Sequence, residues 1–287
     1  MTDQGEAAAS ADGCATIGYV VMRRWSVVVR SLFLVIAVGI VAACSTSTPA
    51  PPPAPAPAPA PAPPSAAPAP PTLDGWKLTL PTVNEKGNAA IVEPAVATPP
   101  YLTTDPAGAL VFWAPVQGAT TKNSDHARTE LDSLTNFGAG TEKHALTATV
   151  TINQVPTEVN DVIIAQIHGA DDISSVPYVM LHYMDGALKV VVKQEQKGSA
   201  AQSIPLTGDV PLNQPFDIGI SDNGDGTMTF DASFAGDTPQ ATAQVPAAFS
   251  GQTVRLQAGA YQLAFSPGST AAADDGAKVT FTQLNIS

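Results

Sequence analysis

The sequence predicts an all-β protein, an antiparallel sandwich or barrel. Three observations predict it. From Leu73 onward, apolar and polar residues alternate in short runs. Gly, Pro, Asn and Asp separate those runs. No segment carries a sustained apolar stripe at the helical period of about 3.6 residues.

The candidate strands follow in order. In WKLTL (76–80), Trp76, Leu78 and Leu80 alternate with Lys77 and Thr79. ALVFWAP (109–115) places Leu110, Phe112 and Ala114 on one side and stops at Pro115. HARTELDSL (126–134) sets Ala127, Thr129 and Leu131 against His126, Arg128, Glu130 and Asp132. ALTATVTI (145–152) alternates threonines with Leu146, Ala148, Val150 and Ile152. DVIIAQIH (161–168) is read with Ile163, Ala165 and Ile167 as its apolar face and Gln166 and His168 opposite. YVMLHYM (178–184) and ALKVVVK (187–193) are joined by Asp-Gly, a hairpin signal. FDIGIS (216–221) and TMTFDASF (227–234) flank DNGDG (222–226), which suits a tight turn and lacks the spacing of a calcium loop. TVRLQAGAY (253–261) and AKVTFTQLNI (277–286) complete eleven candidate strands. One all-β domain accommodates them, and there is no internal repeat.

Composition divides the 287 residues into three parts. Residues 1–44 contain a basic start (Arg23, Arg24, Arg30), an apolar run and Val41-Ala42-Ala43-Cys44. The run has signal-peptide length and is short for a membrane span. It resembles a bacterial lipoprotein signal, which implies lipidation of Cys44, cleavage before it, and an extracytoplasmic, membrane-anchored product. Met22 is the expected start. Residues 45–71 are dominated by Pro and Ala. Their Pro/Ala core should form an extended spacer of roughly 70 Å at about 3.1 Å per residue. Residues 72–287 form the expected globular domain. They contain no cysteine, so disulfides and thiolate metal sites are excluded there.

The same residues carry eight Lys and two Arg against 22 Asp and Glu. Nucleic acid is therefore not an expected partner, because phosphate binding requires a basic surface. Within a cleft, local charge can override this balance.

Three strands carry hydrogen-bonding or titratable groups on one face. They are Arg128, Glu130 and Asp132; Gln166 and His168; and Arg255, Gln257 and Tyr261. Gly259 beside Tyr261 is read as bare backbone where a ligand approaches closely.

WKLTLP (76–81), GATTKNSDHARTEL (118–131), QIH (166–168) and QAGAY (257–261) together resemble, in order, the motifs of the alginate lyases of polysaccharide lyase family 7. The resemblance implies a β-jelly roll of two antiparallel sheets with a concave substrate-binding face. It also implies β-elimination on an acidic polysaccharide, with no metal or cofactor, and we expect a monomer. Arg128 and Gln166, with Asn123, would hold the substrate carboxylate. His168 would be the general base, its imidazole suited by a pKa near 6.5. Tyr261 would protonate the leaving oxygen and, for mannuronate geometry, also abstract a proton. Glu130 would orient Arg128 or a neighbour. Arg255, Gln257 and Asp132 complete the expected substrate-binding set. The Ile form of QIH accompanies activity on guluronate-containing stretches in the family.

The chain departs from the family pattern after RTEL, where Asp132 stands in place of an arginine. Gln257, Gln262 and Leu263 likewise replace a lysine, an asparagine and a glutamine, while Arg255 occupies an aromatic position. These changes point to a less charged or differently linked uronan. Two other readings are open. ELDSLT (130–135) resembles the paired-carboxylate strand of jelly-roll glycoside hydrolases, but Thr135 occupies the final Glu position. A non-catalytic carbohydrate-binding lipoprotein is the other.

Overall fold

The computed structural model describes residues 69–287. The expected export signal, Cys44 and all but the last residues of the Pro/Ala spacer lie outside the described residues.

Two antiparallel sheets form a sandwich. The eight-stranded sheet runs β10 (Ala201–Thr207), β9 (Ala187–Lys193), β8 (Pro177–Met184), β7 (Asp161–Gly169), β14 (Thr253–Gln262), β5 (Arg128–Gly138), β1 (Trp76–Val83), β2 (Ala89–Val92). The seven-stranded sheet runs β13 (Gln240–Gln244), β12 (Thr227–Ser233), β11 (Pro215–Asn223), β6 (Lys143–Gln154), β15 (Gly276–Ile286), β4 (Leu110–Pro115), β3 (Leu102–Thr104). The core lies between them. Leu78, Leu131, Ile164 and Val190 of the first sheet are fully buried, as are Phe112, Val150, Phe230 and Phe281 of the second. Phe112 and Phe281 meet edge to face, with ring centres 5.3 Å apart.

All eleven predicted strands are present. The four that the alternation did not reveal are β2, β3, β10 and β13, the four sheet edges. Edge strands pair on one side only, and here they are short or interrupted. β3 has three residues, β2 four, and β10 contains Pro205, which an edge tolerates because one row of N–H groups needs no partner.

Both predicted hairpins form. Met184 pairs with Ala187 across Asp185 and Gly186, whose φ values of 51° and 82° fit a two-residue turn with both centres left-handed. In DNGDG, Asp222 accepts from the backbone N–H groups of Gly140 and Gly224, and Asp225 accepts from that of Thr227.

One predicted face is corrected. Val162, Ile164, Ala165 and Ile167 join the core, whereas Ile163 turns away and pairs with Tyr261. A register shift between Ile163 and Ala165 puts two consecutive residues inward, as a bulge does. Downstream of the bulge the alternation resumes, and Gln166 and His168 face away from the core.

What positions the site is the late strand β14, which inserts between β5 and β7. It brings residues near 130, 166 and 257 side by side.

Candidate active site

The outward face of β1, β5, β14 and β7 forms the floor of an open cleft of about 280 Å³. Arg128, Glu130, Asp132, Gln166, His168, Arg255, Gln257 and Tyr261 all line it, and exposed Asn123 borders it from the loop before β5. The register explains the convergence. Gln257 lies between Gln166 on one side and Asp132 on the other, and Tyr261 lies opposite Arg128.

Glu130 is the organising group. Arg128 donates to its Oε2 at 3.0 Å and Gln166 Nε2 donates to its Oε1 at 2.6 Å. Glu130 is 1% exposed, so both oxygens are engaged beneath the cleft surface. Burial pushes its carboxyl above the usual carboxylate range, against the pull of the Arg128 charge. Burial also works against the Arg128 charge, but Glu130 above all holds that guanidinium higher than an ordinary arginine. The bond to Glu130 also fixes the Gln166 amide. An ionised carboxylate only accepts, so Nε2 faces Glu130 and Oε1 is left without a partner.

Tyr261 is held on two sides. The Arg128 guanidinium carbon lies 3.5 Å from its ring centre, and its hydroxyl is 2.9 Å from Ser124 Oγ. His126, predicted to share the Arg128 face, precedes the strand proper. It meets the Tyr261 ring edge-on at 6.2 Å, and its Nδ1 donates to the Ala264 carbonyl at 2.9 Å. Ser124 escaped the sequence reading because the loop before β5 has no periodicity to place it.

His168 Nδ1 lies 3.0 Å from the Gly169 carbonyl. A carbonyl cannot donate, so Nδ1 carries the proton and Nε2 the lone pair. Burial lowers the His168 pKa from 6.5 to about 4; the Gly169 bond opposes that shift, while the cations Arg128 and Arg255 reinforce it. The imidazole is neutral at neutral pH.

Asp132 is more enclosed than its sequence position suggested. Thr79 donates to Oδ2 at 3.1 Å, Gln257 Nε2 donates a short bond to Oδ1, and Arg255 Nε lies 3.8 Å from that same oxygen. Lys77 and Thr79 were missed as cleft residues, although they share one face of WKLTLP. Their pairing opposite Asp132 and Glu130 is set by the β1–β5 register, which is not readable from β1 alone.

Two expectations are corrected. Gly259 does not make room for a ligand. A Cβ there would lie 2.5 Å from the Thr129 carbonyl oxygen and 2.8 Å from Glu130 Cα, and its φ is 155°, so the neighbouring strand requires glycine. Gln262 is not a groove residue. It is fully buried, donates to Ser266 Oγ at 2.9 Å and accepts from the Ala264 N–H at 2.6 Å, bracing the turn after β14.

The family model described as alginate lyase matches residues 72–287. Among curated proteins none matches. Of solved structures, alginate lyase PA1167 from Pseudomonas aeruginosa superposes with a TM-score of 0.67 at 24% identity, over 76% of this chain and 99% of that one. Alginate lyase A1-II′, a member of polysaccharide lyase family 7, gives 0.62 at 26% identity, over 75% and 95%. The alginate lyase from Klebsiella pneumoniae gives 0.64 at 21%, over 75% and 95%. These comparisons do not favour the hydrolase or non-catalytic readings. With the jelly-roll sandwich and the match running the length of the folded part, the chain belongs to the alginate lyase family, polysaccharide lyase family 7.

Proposed function

We propose that this lyase cleaves alginate or a related uronan by β-elimination, leaving 4,5-unsaturated uronate ends. The observation that carries the reading is the meeting of Arg128, Gln166, His168 and Tyr261 in one cleft of a family 7 fold. Variants of A1-II′ have been solved with a product, GGG, and with a substrate, GGMG, which supports an acidic oligosaccharide as the ligand.

The C5 proton of a uronate is too weakly acidic for imidazole unless the charge developing on the adjacent carboxylate is compensated. Arg128 supplies the positive charge, and Glu130 keeps its guanidinium in place. A donor aimed at developing charge in such a site contributes about 3 kcal/mol. Gln166, its amide nitrogen engaged by Glu130, contributes Oε1 as an acceptor beside the carboxylate. His168 Nε2 removes the C5 proton. The released electron pair forms the C4=C5 bond, the C4–O4 bond breaks, and the Tyr261 hydroxyl gives its proton to O4. In the sheet register the rows of Tyr261 and His168 lie on either side of Gln166, an order that suits a base and an acid flanking the held carboxylate. Asn123, on the exposed loop, is assigned to the carboxylate cluster as its third member. For mannuronate geometry Tyr261 serves as both base and acid.

The N-terminal sequence supports export, with lipidation at Cys44 and a Pro/Ala tether carrying the enzyme away from the envelope. The enzyme is assigned as a monomer.

The test is a panel of poly-guluronate, poly-mannuronate, glucuronan and mixed polymers treated with the purified protein. Elimination produces ultraviolet absorbance from the conjugated double bond. New reducing ends without absorbance would indicate hydrolysis instead. Binding with neither product would support the non-catalytic reading.

A further inference from the structure

Four buried side-chain polar atoms among the described residues have no hydrogen-bond partner: Arg128 Nε, Gln166 Oε1, Arg255 Nε and Gln257 Oε1. They are the same two atoms taken twice. Glu130 binds Arg128 and Gln166; Asp132 binds Gln257 through its amide nitrogen and has Arg255 Nε 3.8 Å away. In both triads the carboxylate fixes the glutamine amide with its oxygen left over. The second triad differs in two respects: Arg255 faces Asp132 through Nε at 3.8 Å, an ion pair without the hydrogen bond that Arg128 Nη1 makes to Glu130, and Asp132 also accepts from Thr79. Glu130 and Asp132 are two residues apart on β5, on one face and roughly 7 Å from each other along the strand, so the two triads lie side by side in one cleft.

We propose that Arg255, Asp132 and Gln257 form a second uronate subsite, one sugar removed from the reacting residue. Arg255 meets a second carboxylate, Asp132 positions Arg255, and Gln257 Oε1 accepts from a ring hydroxyl. The proposal rests on the lyase reading above. Asp132, which stands where the family pattern has an arginine, then has a role: it positions Arg255 as Glu130 positions Arg128. Lys77, opposite Asp132 in the β1–β5 register, adds a second positive charge, so this half of the cleft keeps more cations than carboxylates.

The test uses the Tyr261→Phe enzyme, in which cleavage of a bound chain is slowed by about 10²–10⁴, and titration calorimetry with two ligands. One is a guluronate tetramer; the other is the same tetramer with its carboxylates reduced to alcohols. Arg255→Gln is expected to weaken binding of the carboxylated tetramer about tenfold and flatten its salt dependence, while changing the reduced tetramer less than about twofold. Arg255→Lys should recover part of the loss. Asp132→Asn should alter affinity only while Arg255 is present. Equal losses on both tetramers, no loss on either, or no binding of the carboxylated tetramer to the parent would overturn the subsite. Failure of the lyase reading is read separately, as absence of ultraviolet product from every uronan with the unmodified enzyme.

Discussion

The Arg128 guanidinium lies against the face of the Tyr261 ring, its carbon 3.5 Å from the ring centre. The residue assigned to the carboxylate and the residue assigned to the leaving oxygen are thus one packed unit. Tyr261 does two separable things there: its ring supports Arg128, and its hydroxyl meets Ser124 at 2.9 Å.

Tyr261→Phe keeps the ring and removes the hydroxyl. We expect turnover to fall by about 10²–10⁴, the range for loss of a general acid, with thermal stability nearly unchanged. Tyr261→Ala should lose stability as well. Initial rates of ultraviolet absorbance and thermal unfolding of both variants check this. A Tyr261→Phe enzyme of ordinary activity would remove the hydroxyl from the mechanism.

His168 predicts the acid limb of the pH profile. Its pKa is lowered to about 4 in the folded protein, so the neutral base persists well below the ordinary value of 6.5. The midpoint of the acid limb of kcat/KM should lie near 4, and a limb centred near 6.5 would contradict the assignment. The stability sign follows from the same depression. The unfolded chain takes up this proton more readily, so the group's contribution is intact above 6.5 and is lost as pH falls from 6.5 toward 4.

Glu130→Gln tests the organising carboxylate. The variant leaves Arg128 buried without its counter-ion and turns an acceptor for Gln166 into a mixed donor and acceptor. Breaking a buried pair in this way costs about 3–5 kcal/mol, visible as a lower urea midpoint. Activity should fall with it, through misplacement of Arg128 and Gln166. A variant as stable and active as the parent would show that the pair is incidental.

Gly259→Ala tests a backbone requirement. The added Cβ would meet the Thr129 carbonyl oxygen at 2.5 Å and Glu130 Cα at 2.8 Å, both on the paired strand. Strain of this kind costs on the order of 1–3 kcal/mol, and β5 must move to relieve it. Denaturant unfolding should register the loss. Unchanged stability would mean that β14 and β5 can separate at no cost.

Much of this protein was legible in order of residues alone. Period-two alternation located every strand that lies inside a sheet, because an interior strand buries one face fully and its sequence must repeat with the pleat. Edge strands such as Ala89–Val92 and Ala201–Thr207 are short or interrupted by Pro205, and their alternation is too brief to stand out. The polar faces around Arg128, Gln166 and Tyr261 could be picked out for the same reason, as groups placed on one side of a strand.

Tertiary structure decided what those groups do to one another. Insertion of β14 between β5 and β7 set Gln257 between Gln166 and Asp132, a choice made by the pairing of distant strands. The bulge after Ile163 reversed part of a face that simple alternation had assigned, because one extra residue changes which side chains point inward. Gly259 and Gln262 looked like groove positions and proved to serve the neighbouring strand and the following turn. Residue type and spacing name the chemical groups available, whereas register and burial fix which donor meets which acceptor, and only packing in three dimensions sets those.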